Sequence, residues 1–339
     1  MIAYTGGHNA PSRVPRVQHY VKPLKERGIE VHECASRAGV YPPEKRWLRP
    51  FWGIWNLCDR LPGVAQSFRY DLSFFQREFL STLVTWEPLT KGPRVFDVDD
   101  AIWVHRGGGF ARKLARLCDH VICGNRFLAE EFSRWNPNVS VLPTPVDTSR
   151  FQPRSGSANG NRSIVGWMGL SSGYCNFRGV ERALAEVLRR HPDAILRIVS
   201  DSPLQFQDLP HHQVQYVHWT VENHVSLMQE MTIGIMPLDD TVVSRGKCSF
   251  KMLQYMACGL PVVVSPVGMN TEVLGQGEVG FGAANEPEWV SSLDKLLDDP
   301  ELRSRMGQAG RSVVVQKYSV EALVPRLVKV LQDVAGRAG

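Results

Sequence analysis

Short apolar runs alternate along the chain with stretches whose apolar positions recur three and four residues apart, the pattern of strands alternating with amphipathic helices. The chain opens with a short strand at residues 1–4 and a Gly6-Gly7 loop. A helix carrying Val17, Tyr20, Val21 and Leu24 follows, then a stop at Gly28 and a second strand at 29–32. Further strands are predicted at 70–75, 94–98 and 121–125, with a helix over 110–118 before the last. The alternation restarts after a polar, Gly- and Ser-rich stretch at 152–162, QPRSGSANGNR, within a linker placed at 143–163. Strands at 163–168, 194–200, 214–219, 233–238 and 262–264 are then interleaved with helices over 180–190 and 221–231 and one ending before Gly259. Glu272 opens another helix, and residues 286–335 are helical, with Pro325 early in the last helix. The pattern predicts an α/β fold of two Rossmann-like, doubly wound domains facing across a cleft, at 1–150 and 151–320.

Composition narrows the class. The apolar runs all fall short of the roughly 20 residues of a membrane span, and MIAY leads straight into a Gly-rich turn, so no signal peptide is expected. Seven scattered cysteines without a Cys-x-x-Cys pair favour neither a disulfide framework nor a zinc site. A cytoplasmic protein is expected. Residues 1–150 hold 21 Lys and Arg against 15 Asp and Glu, and residues 151–339 hold 18 against 19, so the basic excess belongs to the first half. That excess fits anionic lipid, an anionic acceptor or nucleic acid, and the interspersed acids make nucleic acid the weakest of the three; none is expected as a partner.

Residues 41–70 interleave Trp47, Phe51, Trp52 and Trp55 with Lys45, Arg46, Arg49 and Arg60. This mix suits a membrane interface, so peripheral membrane contact through 45–60 is expected; an inter-domain or core helix with snorkelling cations is the alternative.

Three places carry candidate chemistry. The stretch 245–268, RGKCSFKMLQYMACGLPVVVSPVG, reads as a cationic loop, a helix and a strand. If the helix starts near Lys247, then Lys247 and Lys251 lie above one another on its first turn, where backbone N–H groups already favour anions. With Arg245, they call for a phosphate, or else form a solvated face. The strand at 94–98 runs into Asp97, Asp99 and Asp100 at its C-terminal end, where open α/β sheets bind ligands; they could also simply cap the next loop. His105 and the glycines 107–109 then form a hinge or lid candidate. Finally, Gly169 and Ser171, in the small-residue turn after the strand at 163–168, allow backbone amides to approach phosphate oxygens.

The segment KMLQYMACGLPVVVSPVGMNTEVL resembles the donor-nucleotide region of retaining glycosyltransferases of family 4. The resemblance extends to VFDVDDAIWVH, CDHVICGNRFLAEEF, VLPTPVDTSRF and VGWMGLSSG. The two Glu of the family signature fall on Gly246 and Gln254, and the chain looks more like a bacterial subgroup with Arg-Gly-Lys-Cys-x-x-Lys there. The resemblance implies the GT-B architecture, with residues 321–339 as a helix crossing back to the first domain. It implies a UDP- or GDP-sugar donor, no cofactor and no metal. Gln254 would contact the ribose. Because Trp167 stands where Arg is common, the diphosphate would be met by Arg178, Arg245, Lys247 or Lys251, beside Gly169 and Ser171. Gly6, Gly7, His8 and Asn9 would line the acceptor side. Asp99 stands at about the position of a common family histidine, so Asp99, Asp100, His105 and Lys251 are the catalytic candidates.

The expected reaction is transfer of a sugar, with retention, from a nucleoside diphosphate sugar to a glycan, lipid-linked or small-molecule hydroxyl. The rival is a catalytically degenerate GT-B protein acting as a binding or membrane-surface module, and an epimerase of the same architecture is disfavoured.

Overall fold

A computed structural model describes residues 1–7, 10, 12–39, 42–154 and 162–336. The chain divides into two units. The first comprises Met1–Pro145, Gly246–Cys248 and Val320–Gly339; the second comprises Val146–Arg245 and Ser249–Ser319.

The first unit is built on six parallel strands: β1 (Ile2–Thr5), β2 (His32–Ala35), β3 (Ser73–Gln76), β4 (Arg94–Val98), β5 (His120–Cys123) and β6 (Val139–Val141). Their order is β2-β1-β3-β4-β5-β6, so the direction of winding reverses between β1 and β3. Strands β1, β3 and β4 are buried almost throughout, as expected of a parallel sheet covered on both faces. Helix Val320–Gly336 belongs to this unit: Val320, Leu323, Val324, Leu327, Leu331 and Val334 join a core with Ala3, Val17, Tyr20, Leu24, Phe74 and Ile122.

The second unit holds β7 (Ile164–Met168), β8 (Ile195–Ser200), β9 (Val214–His218), β10 (Ile233–Met236), β11 (Val262–Val264) and β12 (Gly280–Gly282), again all parallel. The order β12-β11-β10-β7-β8-β9 is the doubly wound arrangement of dinucleotide-binding folds, with its switch point between β7 and β10. Its core gathers Trp167, Phe177, Leu184, Leu188, Leu196 and Ile198 against Trp289 and Leu293.

Several elements differ from the sequence pattern. Strand β2 starts at His32 rather than at 29, because its pairing with β1 begins at Ile2 opposite His32. The helix expected around Val17 splits into a π-helical turn, Val14–Gln18, and the helix His19–Lys25. The short strands β6 and β12 were not expected; three residues are too few to show a periodicity.

Candidate active site

In the second unit, helix Phe250–Ala257 links β10 to the parallel strand β11, so it runs back along the sheet and starts at the carboxyl ends of the strands. Its inward side is tightly packed. Tyr255 covers Gly234, where a Cβ would come within 2.4 Å of the ring, and its hydroxyl accepts the Met168 N–H at 2.7 Å.

The helix start differs from the expected one. A separate short helix, Val242–Gly246, ends before Lys247, and Ser249 takes a left-handed conformation (φ 50°, ψ 24°) that breaks any continuation. Lys247 is therefore not on the helix with Lys251, and the four-residue stacking of the two lysines does not occur. Lys247 belongs to the first unit and Lys251 to the second. The Ser249 hydroxyl does not cap the helix either: it donates to Asn270 Oδ1 at 2.7 Å, while Asn270 Nδ2 donates to the Ser265 carbonyl at 3.0 Å. The first turn thus carries no side-chain cap and no acid. Its free N–H groups are oriented towards the ligand edge of the sheet.

Lys251 and Gln254 share one face, as their spacing requires, and Lys251 Nζ donates to Gln254 Oε1 at 3.1 Å. Gln254 is buried, and burial pulls the Lys251 ammonium down to a pKa of about 8.

The other expected phosphate contacts are engaged differently. Arg245, in the last turn of its short helix, is held by Asp240 in a bidentate pair at 2.6 and 2.8 Å. Ser171 gives its N–H (2.6 Å) and hydroxyl (3.0 Å) to Asp201 at the end of β8, which holds that carboxyl below its usual range. Gly169 is tightly enclosed, since a Cβ would meet the Trp167 ring at 2.6 Å. Trp167 itself packs against Tyr174 in a tilted contact and meets Phe177 edge to face. Arg178 is exposed at the end of the helix Tyr174–Arg178.

In the first unit, the three acids after β4 separate into different roles. Asp97 is buried against Arg16, whose Nε lies 2.9 Å from Asp97 Oδ2, whose Nη2 meets Oδ1, and whose Nη1 reaches the Leu142 carbonyl at 2.8 Å. The expectation that Asp97 contacts ligand is corrected: its carboxylate is spent on a structural ion pair. Asp100 accepts the Ala101 N–H at 2.8 Å, capping its own loop. Asp99 is different, because its Oδ1 is buried without a hydrogen-bond partner, while its carbonyl accepts the Cys248 thiol at 3.2 Å. His105 is exposed, and no hydrogen bond joins it to Asp99 or Asp100 among the described residues. Arg106, Gly107 and Gly108 after it all have positive φ.

The segment Gly246–Cys248 is fixed by Asn125, which the sequence pattern placed only at the end of the strand predicted at 121–125 and which lies just beyond β5. Asn125 Oδ1 caps the next helix through Leu128 N (2.8 Å), and its Nδ2 donates to the carbonyls of Gly246 (3.1 Å) and Lys247 (3.0 Å). The cap is readable from an Asn before a helix, but the long-range donation is not. Gly246 packs so closely that a Cβ would lie 2.6 Å from Ala101 Cβ, which explains why no Glu occupies this position. At the end of β1, Gly7 has φ 91°, and a Cβ there would meet the Ser36 carbonyl at 2.1 Å; Gly6 is buried beside it. His8 and Asn9 lie outside the described residues.

Residues 164–299 match the family described as Glycosyl transferases group 1. The chain is similar to the MMP alpha-(1->4)-mannosyltransferase of Mycolicibacterium hassiacum, 26% identical over 74% of this chain and 64% of that protein. It is also similar to a GDP-mannose-dependent monoacylated alpha-(1-6)-phosphatidylinositol monomannoside mannosyltransferase of Corynebacterium glutamicum, 26% identical over 58% of this chain and 57% of that one. The chain therefore spans under two thirds of the length of these curated relatives. Among solved structures, it resembles sucrose-phosphate synthase from Thermosynechococcus elongatus, with a TM-score of 0.71, 14% identity and 99% of both chains covered. It likewise resembles Anabaena HepE in complex with UDP and glucose, with a TM-score of 0.70, 15% identity and coverage of 98% of this chain and 99% of that one. The chain has the α/β GT-B fold, and the stretch 164–299, most of it in the second unit, matches the glycosyl transferases group 1 family.

Proposed function

We propose that the protein is a retaining glycosyltransferase that moves a sugar from a nucleoside diphosphate sugar to an acceptor hydroxyl without a metal ion. The observation that carries this reading is the start of helix Phe250–Ala257, where an uncapped, acid-free first turn bears Lys251 at the ligand edge of a group 1 glycosyltransferase domain. Similar proteins support the donor class. One relative is named as GDP-mannose-dependent, and structural neighbours were solved with UDP and glucose or with UDP-glucose.

In this reaction the anomeric C–O bond to the diphosphate breaks as the acceptor oxygen bonds to the same carbon and face, and the acceptor proton passes to the departing phosphate. Negative charge grows on the diphosphate, where Lys251, the free N–H groups of the helix start and Arg178 stabilise it. Gln254 holds the ribose. On the first unit, Gly6, Gly7, Asp99, Asp100 and His105 form the acceptor side. The reading includes a peripheral position at a membrane surface through residues 45–60.

The test combines turnover and binding. Incubation with UDP- and GDP-sugars in excess chelator is expected to release UDP or GDP slowly, and calorimetry is expected to show nucleotide binding that Lys251→Ala weakens roughly ten- to a hundredfold. Nucleotide binding without any turnover would make the protein a binding module. Activity restored only by magnesium or manganese would overturn the metal-free mechanism. Equal binding by Lys251→Ala would remove the diphosphate assignment.

A further inference from the structure

The helix Arg49–Gln66 has two unlike faces. Its inner face is held firmly: Asn56 Nδ2 donates to the Gly39 carbonyl at 2.9 Å, and Trp52 Nε1 donates to the Ala38 carbonyl at 2.9 Å. Buried Arg60 reaches the Cys34 and Thr5 carbonyls at 2.9 and 2.8 Å and stacks on Phe79. Trp52 is thus part of the scaffold and not of the surface. The outer face is apolar and bare. Trp47 (67% exposed), Phe51 (67%), Ile54 (62%), Trp55 (61%), Leu61 and Phe68 follow one another at helical spacing along it. So many large apolar side chains in one stripe exceed what scattered surface residues explain, and such a patch marks a contact site.

The charge around the stripe identifies what it meets. Lys45, Arg46, Arg49 and Arg69 are exposed at its two ends, against two exposed acids, Glu44 and Asp71; Asp59 is turned inward to accept the Arg37 N–H at 2.8 Å. A second copy of this face would bring like charges together, whereas an anionic bilayer complements them. No helix among the described residues is long and apolar enough to cross a membrane.

We propose that the stripe Trp47, Phe51, Ile54, Trp55, Leu61 and Phe68 docks in the plane of an anionic lipid bilayer, with its rings at headgroup depth and the flanking cations on lipid phosphates. The contact rests on the peripheral position proposed above and extends it past residue 60 to Phe68, but it does not depend on the sugar-transfer chemistry. Because Arg60 ties this helix to the carboxyl ends of β1 and β2, docking also holds that edge of the first sheet near the lipid surface.

The experiment is co-sedimentation of the full chain with vesicles of phosphatidylcholine alone or mixed with phosphatidylglycerol. Binding to the mixed vesicles at low salt, weaker at high salt and on phosphatidylcholine alone, is expected. The Phe51→Ser/Trp55→Ser variant should lose about tenfold or more in vesicle affinity, and so should Lys45→Glu/Arg46→Glu, with circular dichroism unchanged. Absence of binding to mixed vesicles, or equal binding by both variants, overturns the proposal. So does a dimer that Phe51→Ser/Trp55→Ser dissolves, since the stripe would then belong to a second copy. Calorimetric UDP binding reports separately on the donor site of the second unit.

Discussion

Lys251 donates to Gln254 across 3.1 Å, which places a partly neutralised cation beside a buried amide at the start of the helix Phe250–Ala257. The pairing makes the proposed donor site sensitive to pH. Burial lowers Lys251 from 10.5 to about 8, so above that pH the free protein holds mostly the neutral amine. A diphosphate favours the ammonium and raises its pKa again. Donor binding near about pH 9 is therefore expected to take up close to one proton, read as a dependence of the binding heat on buffer ionisation enthalpy and absent in Lys251→Ala. A buffer-independent heat would show that Lys251 does not meet the phosphate. Gln254→Glu, which sets a carboxylate beside the ammonium, should move the alkaline loss of binding to higher pH.

The same lysine costs stability. Its folded pKa is depressed, so the penalty is full below about 8 and disappears as pH rises through 10.5, where the amine is neutral in both states. Lys251→Met is expected to raise unfolding free energy at neutral pH by roughly 1–2 kcal/mol, after allowing for the lost bond to Gln254. Urea denaturation across this pH range should show wild type and variant converging at the alkaline end.

Asp97 and Arg16 form a buried pair whose partners cannot be removed singly without leaving a bare charge. Asp97→Ala is expected to lose roughly 3–5 kcal/mol in urea unfolding, and Arg16→Met/Asp97→Leu to recover much of it. An Asp97→Ala variant of wild-type stability but impaired transfer would return Asp97 to the acceptor site.

Gly246→Ala tests the packed segment Gly246–Cys248. The added methyl meets Ala101 Cβ at 2.6 Å, so the segment must shift or strain by roughly 1–3 kcal/mol. Transfer is expected to fall about tenfold in kcat/KM, because a small misplacement at a positioned group is costly. Unchanged kcat/KM would mean that this segment serves packing alone.

Local signals carried much of this protein. Parallel strands buried on both faces leave apolar runs with β-branched residues, so β4 and β11 were legible to the residue, and the alternation of strands and helices specified two doubly wound sheets. The shared face of Lys251 and Gln254 followed from helical spacing alone. The mixture of aromatic and basic residues around the helix Arg49–Gln66 was visible as composition, but which rings face outward was not, because only packing turns Trp52 inward and leaves Trp55 bare.

The partners of the charged groups were decided by tertiary structure. Asp97 and Arg16 lie far apart in the chain, as do Ser171 and Asp201, and no periodicity relates them. Lys247 left the helix because Ser249 adopts a left-handed backbone, and the carbonyls beside it are held by Asn125 from a distant strand end. Sequence pattern determines which residues share a local face, because a helix or a strand has a fixed period. Which carboxylate meets a cation and which is left free, as at Asp99, depends on contacts that exist only once the chain has closed.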